Sequence, residues 1–482
     1  MSVTTFKNWI GGQECESASG KTYDMFDPAT GDLVAKAQLS GEDDMRAAVH
    51  AAEKAFKESA WSRDGALRSR VLMDMAAKVL DHKEELARLY SRNNGKTIKE
   101  ARLELTGCAD IFTYTAGMAR NIFGRFIEPA PNSLSCIIRE PLGVVGVISP
   151  WNWPIQLMVR EMVPALAAGN SIVLKPASQT AAISLAFFSL LHEVEELPRG
   201  IINAVSGSGA AIGDVLCSAP DVRMISFTGS SEVGSGIAAL ATAKFKKVVL
   251  ELGGKSPNIL FKDCDIEKAC SAAIPAAFMT SGQLCMAGTR LLVQESVFDR
   301  VVEIVKQKAE SLVVGVGLDE KSDIGPVISA RQMKNVLEYM EIGKKEGRCI
   351  TGGQRLTGGT YDKGFFLPPT IFTDLPEKSR LVQEEIFGPI LVVQKFTDEA
   401  DAVRLANGTP FGLAAAVWTA DIKRAMRMSR AIEAGTVWVN TYFKLYHQTE
   451  FGGFKDSGIG RTRGIDGIYE FTETKHVNFD IA

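Results

Sequence analysis

Beyond residue 141 the chain changes texture, and this change constrains its fold more than any other feature. Short β-branched runs at 144–149, 171–174, 201–205, 224–227 and 248–250 alternate with helical stretches after Pro154, near 182–196, after Ser208 and from Ser231. Strands that alternate with helices pair in parallel through right-handed crossovers. The product is a doubly wound α/β sheet, whose ligand crevice lies at the carboxyl ends of its strands. A second βα series runs from about Asn258 to Asn440. The fold class is therefore α/β with two doubly wound lobes, and a cleft between lobes is a common place for a ligand.

The segments outside these series read differently. Residues 42–58 form an amphipathic pattern with Met45, Val49, Ala52 and Phe56 on one side, and 67–91 and 97–119 also read as helices. Residues 470–481 alternate as a strand, which needs a partner elsewhere in the fold or on another subunit.

Composition excludes several classes of function. With 46% apolar and 23% charged residues and a net charge of −3, the 482-residue chain is an ordinary globular mixture with no basic footprint for nucleic acid. No uncharged apolar run reaches the ~20 residues that span a bilayer. The opening MSVTTFKNWIGG lacks the basic and apolar regions of a secretory leader. A cytoplasmic location with no membrane partner is expected. The eight cysteines form no CxxC pair and the five histidines are scattered, so reduced thiols and no metal site are expected.

Four local features carry chemistry. Cys285 ends Ser281-Gly282-Gln283-Leu284-Cys285, among small and polar residues after an apolar helical stretch. A thiolate there could act as a nucleophile, though a lone cysteine is more often a small buried hydrophobe. Glu251 closes a strand before Gly253-Gly254, where it could serve as a general base or simply be a solvated strand end. Asn152, in Pro150-Trp151-Asn152-Trp153-Pro154, could cap the next helix or offer its amide to an oxyanion. The glycine-rich turns at 207–213 and 227–234 are candidates for a pyrophosphate at a helix N-terminus, but neither is the standard dinucleotide fingerprint.

Taken together and in order, PWNWP, LKPAS, FTGSSEVG, LELGGK, GQLC and EEIFGP, with the closing FGGFKDSG, resemble the aldehyde dehydrogenase superfamily along essentially the whole chain. The resemblance implies a cofactor domain at 1–120 and 141–252, a catalytic domain at 253–455, and a small β oligomerisation element at 121–140 and 456–482. Homodimers or homotetramers are the implied assemblies. It implies that Cys285 attacks an aldehyde, that Asn152 and the Cys285 backbone amide hold the oxyanion, and that Glu251 activates water to hydrolyse a thioester. Hydride leaves to NAD(P)+. The resemblance places Glu385 and Phe387 at the nicotinamide ribose, Lys175 at the adenosine ribose and Ser230 at the pyrophosphate. Trp151, Ser178, Gly209, Phe227, Gly229 and Leu252 complete the cofactor contacts.

Two departures from the superfamily pattern bear on function. Many relatives carry Glu where this chain has Ser178. Loss of that carboxylate removes repulsion of a 2′-phosphate, so NADP+ is expected to be accepted. Many also carry Glu after Gly-Arg near the C-terminus, whereas here Gly460-Arg461 is followed by Thr462, which places more weight on Glu251. On the substrate side, Arg160 lies eight residues after Asn152, as in semialdehyde and lactaldehyde dehydrogenases, and suits a short aldehyde with an anionic or hydroxylated tail. An ion pair with a nearby acid is its plainer role. Trp153, Phe443, Tyr446 and Phe451 point instead to an aromatic or apolar aldehyde. Rival readings are a CoA-acylating dehydrogenase, against which Glu251 argues, and a non-catalytic structural member, against which the intact Cys285, Glu251, Asn152 and Glu385 set argues.

Overall fold

A computed structural model describes residues 3–481. Its first large sheet has eight strands in the order Gly458–Ile459, Lys247–Glu251, Val222–Thr228, Val144–Ile148, Ser171–Lys175, Ile202–Ala204, Asn8–Ile10, Gln13–Cys15. The five strands from Lys247–Glu251 to Ile202–Ala204 are parallel to one another, and the strands flanking them, Gly458–Ile459 and Asn8–Ile10, are antiparallel. Val144–Ile148 is buried along its whole length, which explains its unbroken apolar run. The chain winds outward from it through 171–175 and 202–204, then returns to its other side at 222–228. The switch point therefore falls between 144–148 and 222–228, and the turns leaving those two strands carry Trp151-Asn152 and Gly229-Ser230.

The second sheet has seven strands in the order Arg348–Thr351, Thr370–Thr373, Ile390–Phe396, Arg290–Gln294, Pro257–Leu260, Ala414–Trp418, Thr436–Val439. All pairs are parallel except the edge strand Arg348–Thr351. Lys247–Glu251 leaves the first sheet and, after five residues, becomes Pro257–Leu260 of the second. The carboxyl ends of one sheet thus face the amino ends of the other, and the cleft lies between them.

The helices follow the sequence pattern with one division. Glu42–Glu58 matches the amphipathic stretch, but the expected helix over 67–91 is two, Gly65–Asp81 and Lys83–Asn94. The break is at His82, whose φ of −102° and ψ of 11° are non-helical. Ile98–Met118 starts at a capping box in which the Thr97 side chain accepts from the Glu100 amide and Glu100 reaches back to the Thr97 amide. The segment 456–482 is divided: Gly458–Ile459 closes the first sheet, while Thr472–Asp480 pairs with Ser133–Pro141, which in turn pairs with Arg125–Ala130. The terminal strand therefore finds its partner within the same chain.

Candidate active site

The nucleophile loop is built by unusual backbone geometry. After helix Ile266–Phe278, Thr280, Ser281 and Gly282 take successive positive φ values of 51°, 57° and 71°. Two non-glycine residues in this region cost on the order of 1–3 kcal/mol each and persist only where their surroundings over-determine them. Here Glu100 Oε1 accepts the Thr280 amide at 2.6 Å, and Ser281 Oγ donates to the Gly325 carbonyl at 2.6 Å. A side chain at Gly282 would collide with the Gly388 carbonyl. Gln283 accepts the Ile328 amide at 3.0 Å, and its own carbonyl accepts Asn152 Nδ2 at 2.9 Å.

Asn152 is thus aimed at the nucleophile loop rather than at a helix end. The first turn of helix Pro154–Ala167 is capped from elsewhere: Glu104 Oε1 accepts the Ile155 and Gln156 amides at 3.1 and 2.8 Å. Glu104 Oε2 is also 2.6 Å from buried Lys96 Nζ, which lies 4.0 Å over the Trp153 ring. Trp153 Nε1 donates to Thr280 Oγ1 at 3.1 Å. One helix, Ile98–Met118, therefore holds both the Asn152 turn and the Cys285 loop.

Glu251 ends its strand in the cleft, 2% exposed, and neither carboxylate oxygen has a hydrogen-bond partner. Arg160 Nη1 is 3.8 Å away. Burial pushes the Glu251 carboxyl up to about 8; Arg160 opposes the rise and Glu161 adds to it. The Cys285 thiol is likewise pushed up by burial, to about 12, against the attraction of Arg160. In the unliganded site the sulfur is held as a thiol, and a neighbouring base must take its proton. Glycines 253 and 254 admit this approach: a Cβ on Gly254 would collide with the Cys285 carbonyl, and one on Gly253 would lie 2.5 Å from Glu385 Oε2. Glu385 Oε1 accepts the Gly254 amide at 3.0 Å, and burial raises its carboxyl to about 7.

Two cavities meet at Cys285, which lines both together with Asn152 and Leu157. The first, about 270 Å³, also brings together Trp151, Gly229, Ser230, Glu251, Leu252, Glu385 and Phe387. The Trp151 and Phe387 rings meet edge-on at 5.2 Å, with Phe387 at a φ of 59°. Ser230 caps helix Ser231–Thr242 by accepting the Val233 amide. Phe227 is buried beneath Gly229 and does not line this space. Lys175 and Gly209 lie further along the carboxyl edge of the sheet. Lys175 Nζ donates to the Pro176 carbonyl at 3.1 Å, and burial lowers its amine to about 8. Ser178 bonds Gln179 and lines a separate depression with Tyr23 and Asn93, with no bond to Lys175. These residues fit a dinucleotide: the space lies at the switch point, opens on a capped helix N-terminus, and ends at the nucleophile.

The second cavity, about 320 Å³, gathers Trp153, Arg160, Phe443 and Phe451, with Met279, Leu284 and Met286 beside Cys285. Tyr446, expected among them, is 59% exposed; its neighbours Leu445 and His447 line the wall instead. Arg160 is in the wall but already engaged: Nη2 donates to Glu161 Oε1 at 2.9 Å and to Thr228 Oγ1 at 3.0 Å. Glu161 also accepts from Ser226. Sequence reasoning missed Arg463, a second buried guanidinium in this wall, and the Glu100, Glu104 and Lys96 supports. Arg463 directly follows Thr462, whose departure from the superfamily pattern was visible, so the signal lay one residue away.

Fold and cleft are those of an aldehyde dehydrogenase. Residues 15–477 match the aldehyde dehydrogenase family, and the chain belongs to that family. It is similar to a betaine aldehyde dehydrogenase of Bacillus subtilis (strain 168), at 40% identity over 99% of this chain and 97% of the relative. A phenylacetaldehyde dehydrogenase of Pseudomonas fluorescens is also 40% identical, over 97% of this chain and 94% of the relative. Among solved structures, a betaine aldehyde dehydrogenase from Staphylococcus aureus in complex with NAD+ superposes with a TM-score of 0.96 at 36% identity, covering 98% of this chain and 94% of that one. Among the described residues, no helix is long and apolar enough to cross a membrane and no group of side chains could hold a metal ion.

Proposed function

We propose that this aldehyde dehydrogenase oxidises a short aldehyde with an anionic or hydroxylated tail to the carboxylic acid, with NAD(P)+ as acceptor and Cys285 as nucleophile. The observation that carries the reading is the junction of the two cavities at Cys285, with Glu251, a buried carboxylate that has no hydrogen-bond partner among the described residues, in the wall of one of them. The Cys285 proton passes to ionised Glu251, and sulfur adds to the aldehyde carbon. The oxyanion is held by Asn152 Nδ2 and the Cys285 backbone amide, and each such donor is worth roughly 10²–10³ in rate. The bound dinucleotide supplies the hydride acceptor. A thioester remains on Cys285. After releasing that first proton to solvent, Glu251 takes a proton from water, whose oxygen attacks the thioester carbon, and the carbon–sulfur bond breaks. The acid leaves as sulfur recovers a proton.

Trp151, Gly229, Ser230, Leu252, Glu385 and Phe387 hold the nicotinamide and pyrophosphate end of the dinucleotide. Lys175, Ser178 and Gly209 shape the course of its adenosine end, and Phe227 supports the Gly229 turn from below. The residue at 178 is not acidic, which supports acceptance of NADP+ alongside NAD+. The tail is assigned from charge. Two guanidinium groups, Arg160 and Arg463, line the cavity, and they oppose the quaternary ammonium of betaine aldehyde. The aromatic walls, Trp153, Phe443 and Phe451, favour a second reading, an arylacetaldehyde. The test is a panel of chain-length-matched aldehydes run with each cofactor. Succinic semialdehyde is expected to exceed butanal and betaine aldehyde in kcat/KM, and Cys285→Ser to abolish turnover of all. A higher kcat/KM for phenylacetaldehyde or betaine aldehyde than for every anionic aldehyde overturns the tail assignment, and turnover by Cys285→Ser overturns the mechanism.

A further inference from the structure

Arg463 has four properties that a structural arginine in this position does not need. It is 8% exposed, yet it borders the substrate cavity. Among the described residues its Nε is buried with no hydrogen-bond partner, as is that of Arg160. Its backbone has φ 62° and ψ 179°, a region essentially reserved for glycine. It also shares the cavity wall with another cation, Arg160. A buried donor left unpaired is costly, and so is a pair of like charges brought together out of water. Both costs fall when an anion enters the cavity.

The two arginines are not equivalent. Arg160 is committed to Glu161 and Thr228 and stands 3.8 Å from Glu251. Among the described residues, Arg463 has one side-chain contact of hydrogen-bond type, from Nη1 to His447 Nδ1 at 3.5 Å, a distance at the limit of a bond. The two residues are also tied through the Gly464 amide, which donates to the His447 carbonyl at 2.9 Å. Asp110, at the mouth of the cavity, is exposed. Of the buried acids nearby, Glu161 is bonded to Arg160, and Glu251 stands closest to Arg160 while also attracting Arg463. Burial, with Arg160 as the next cause, lowers the Arg463 guanidinium to about 10, which still leaves it charged at neutral pH.

We propose that Arg463 is the residue that receives the distal carboxylate of the substrate, while Arg160 positions Glu251. This assignment rests on the anionic-tail reading above and names the group that carries it. The Nε–H and an Nη–H of one guanidinium match the two oxygens of a carboxylate, a geometry that Lys cannot reproduce. His447 steadies the far side of the fork by accepting from Nη1.

The test compares succinic semialdehyde with butanal, two four-carbon aldehydes that differ in the tail. Arg463→Gly suits the backbone conformation and removes the guanidinium, and a thermal melt reports whether the variant folds. The expected result is a fall of about 10–100-fold in the ratio of kcat/KM for the semialdehyde to that for butanal, chiefly through KM. Arg463→Lys is expected to recover part of the loss. Arg160→Lys is expected to lower kcat for both aldehydes and to move the pH–rate profile. An unchanged ratio in folded Arg463→Gly, with the wild-type preference for the semialdehyde intact, overturns the role of Arg463 alone. Absence of that preference in the wild-type enzyme overturns the anionic-tail reading, and this assignment with it.

Discussion

Glu251 is buried with two unpaired oxygens, and that isolation sets its chemistry. With its carboxyl near 8, most of it is protonated at pH 7, whereas water activation needs the ionised form. Hydrolysis of the acyl-enzyme should therefore rise with pH through about 8 and level off above it. Glu251→Gln removes the base for both half-reactions, so it should suppress the burst of reduced cofactor as well as turnover, which stopped-flow absorbance measures. Stability runs the other way. The folded value lies above the ordinary carboxylate value of about 4.3, so the contribution of this group is full below that pH and is lost as pH rises through about 8. Motif order in the sequence identified Cys285, Glu251, Asn152 and Glu385, and the cleft brings all four together. The role of Arg463 could not be read that way. Its significance lies in a φ of 62° and in the neighbours that the fold gathers around it.

At the scale of elements, helix Ile98–Met118 acts as a clamp. Glu100 accepts from Thr97 and Thr280, and Glu104 accepts from Lys96, Tyr90 and the first turn of Pro154–Ala167. Glu100→Ala leaves buried amides unpaired and releases the strained loop, so unfolding in urea should show a loss of about 1–3 kcal/mol, with a larger proportional loss in kcat. A merely local cap would lower stability and leave kcat in place. The helical texture over 97–119 made this helix legible, but the capping pair Thr97 and Glu100 was not singled out. Its long-range partners were not legible, because Thr280 is 180 residues from Glu100. The split at His82 was missed for a related reason: apolar periodicity continues through the break, and only the backbone angles interrupt it.

In the whole molecule, two large sheets flank the cleft, and of the smaller sheets the one formed by Arg125–Ala130, Ser133–Pro141 and Thr472–Asp480 has an edge, Arg125–Ala130, that is exposed along its length. Phe126 and Ile127 are adjacent, so they face opposite sides of the sheet, and both are exposed, at 60% and 50%. By register Phe126 and Phe479 share one face and Ile127 lies on the other, and we propose that this exposed apolar element is the interface of the homodimer or homotetramer that the resemblance implies. Light scattering should show an oligomer for the wild type and a lower mass for Phe126→Lys/Ile127→Lys; an unchanged mass would place the interface elsewhere. The alternation of strands and helices announced the two lobes. The sequence did not announce that one continuous run, from Lys247 through Leu260, stitches one sheet to the other across the site. Because Cys285 lines both cavities, our reading gives the aldehyde and the dinucleotide separate rooms around one sulfur, so a bulky substitution that fills one room should leave binding in the other in place.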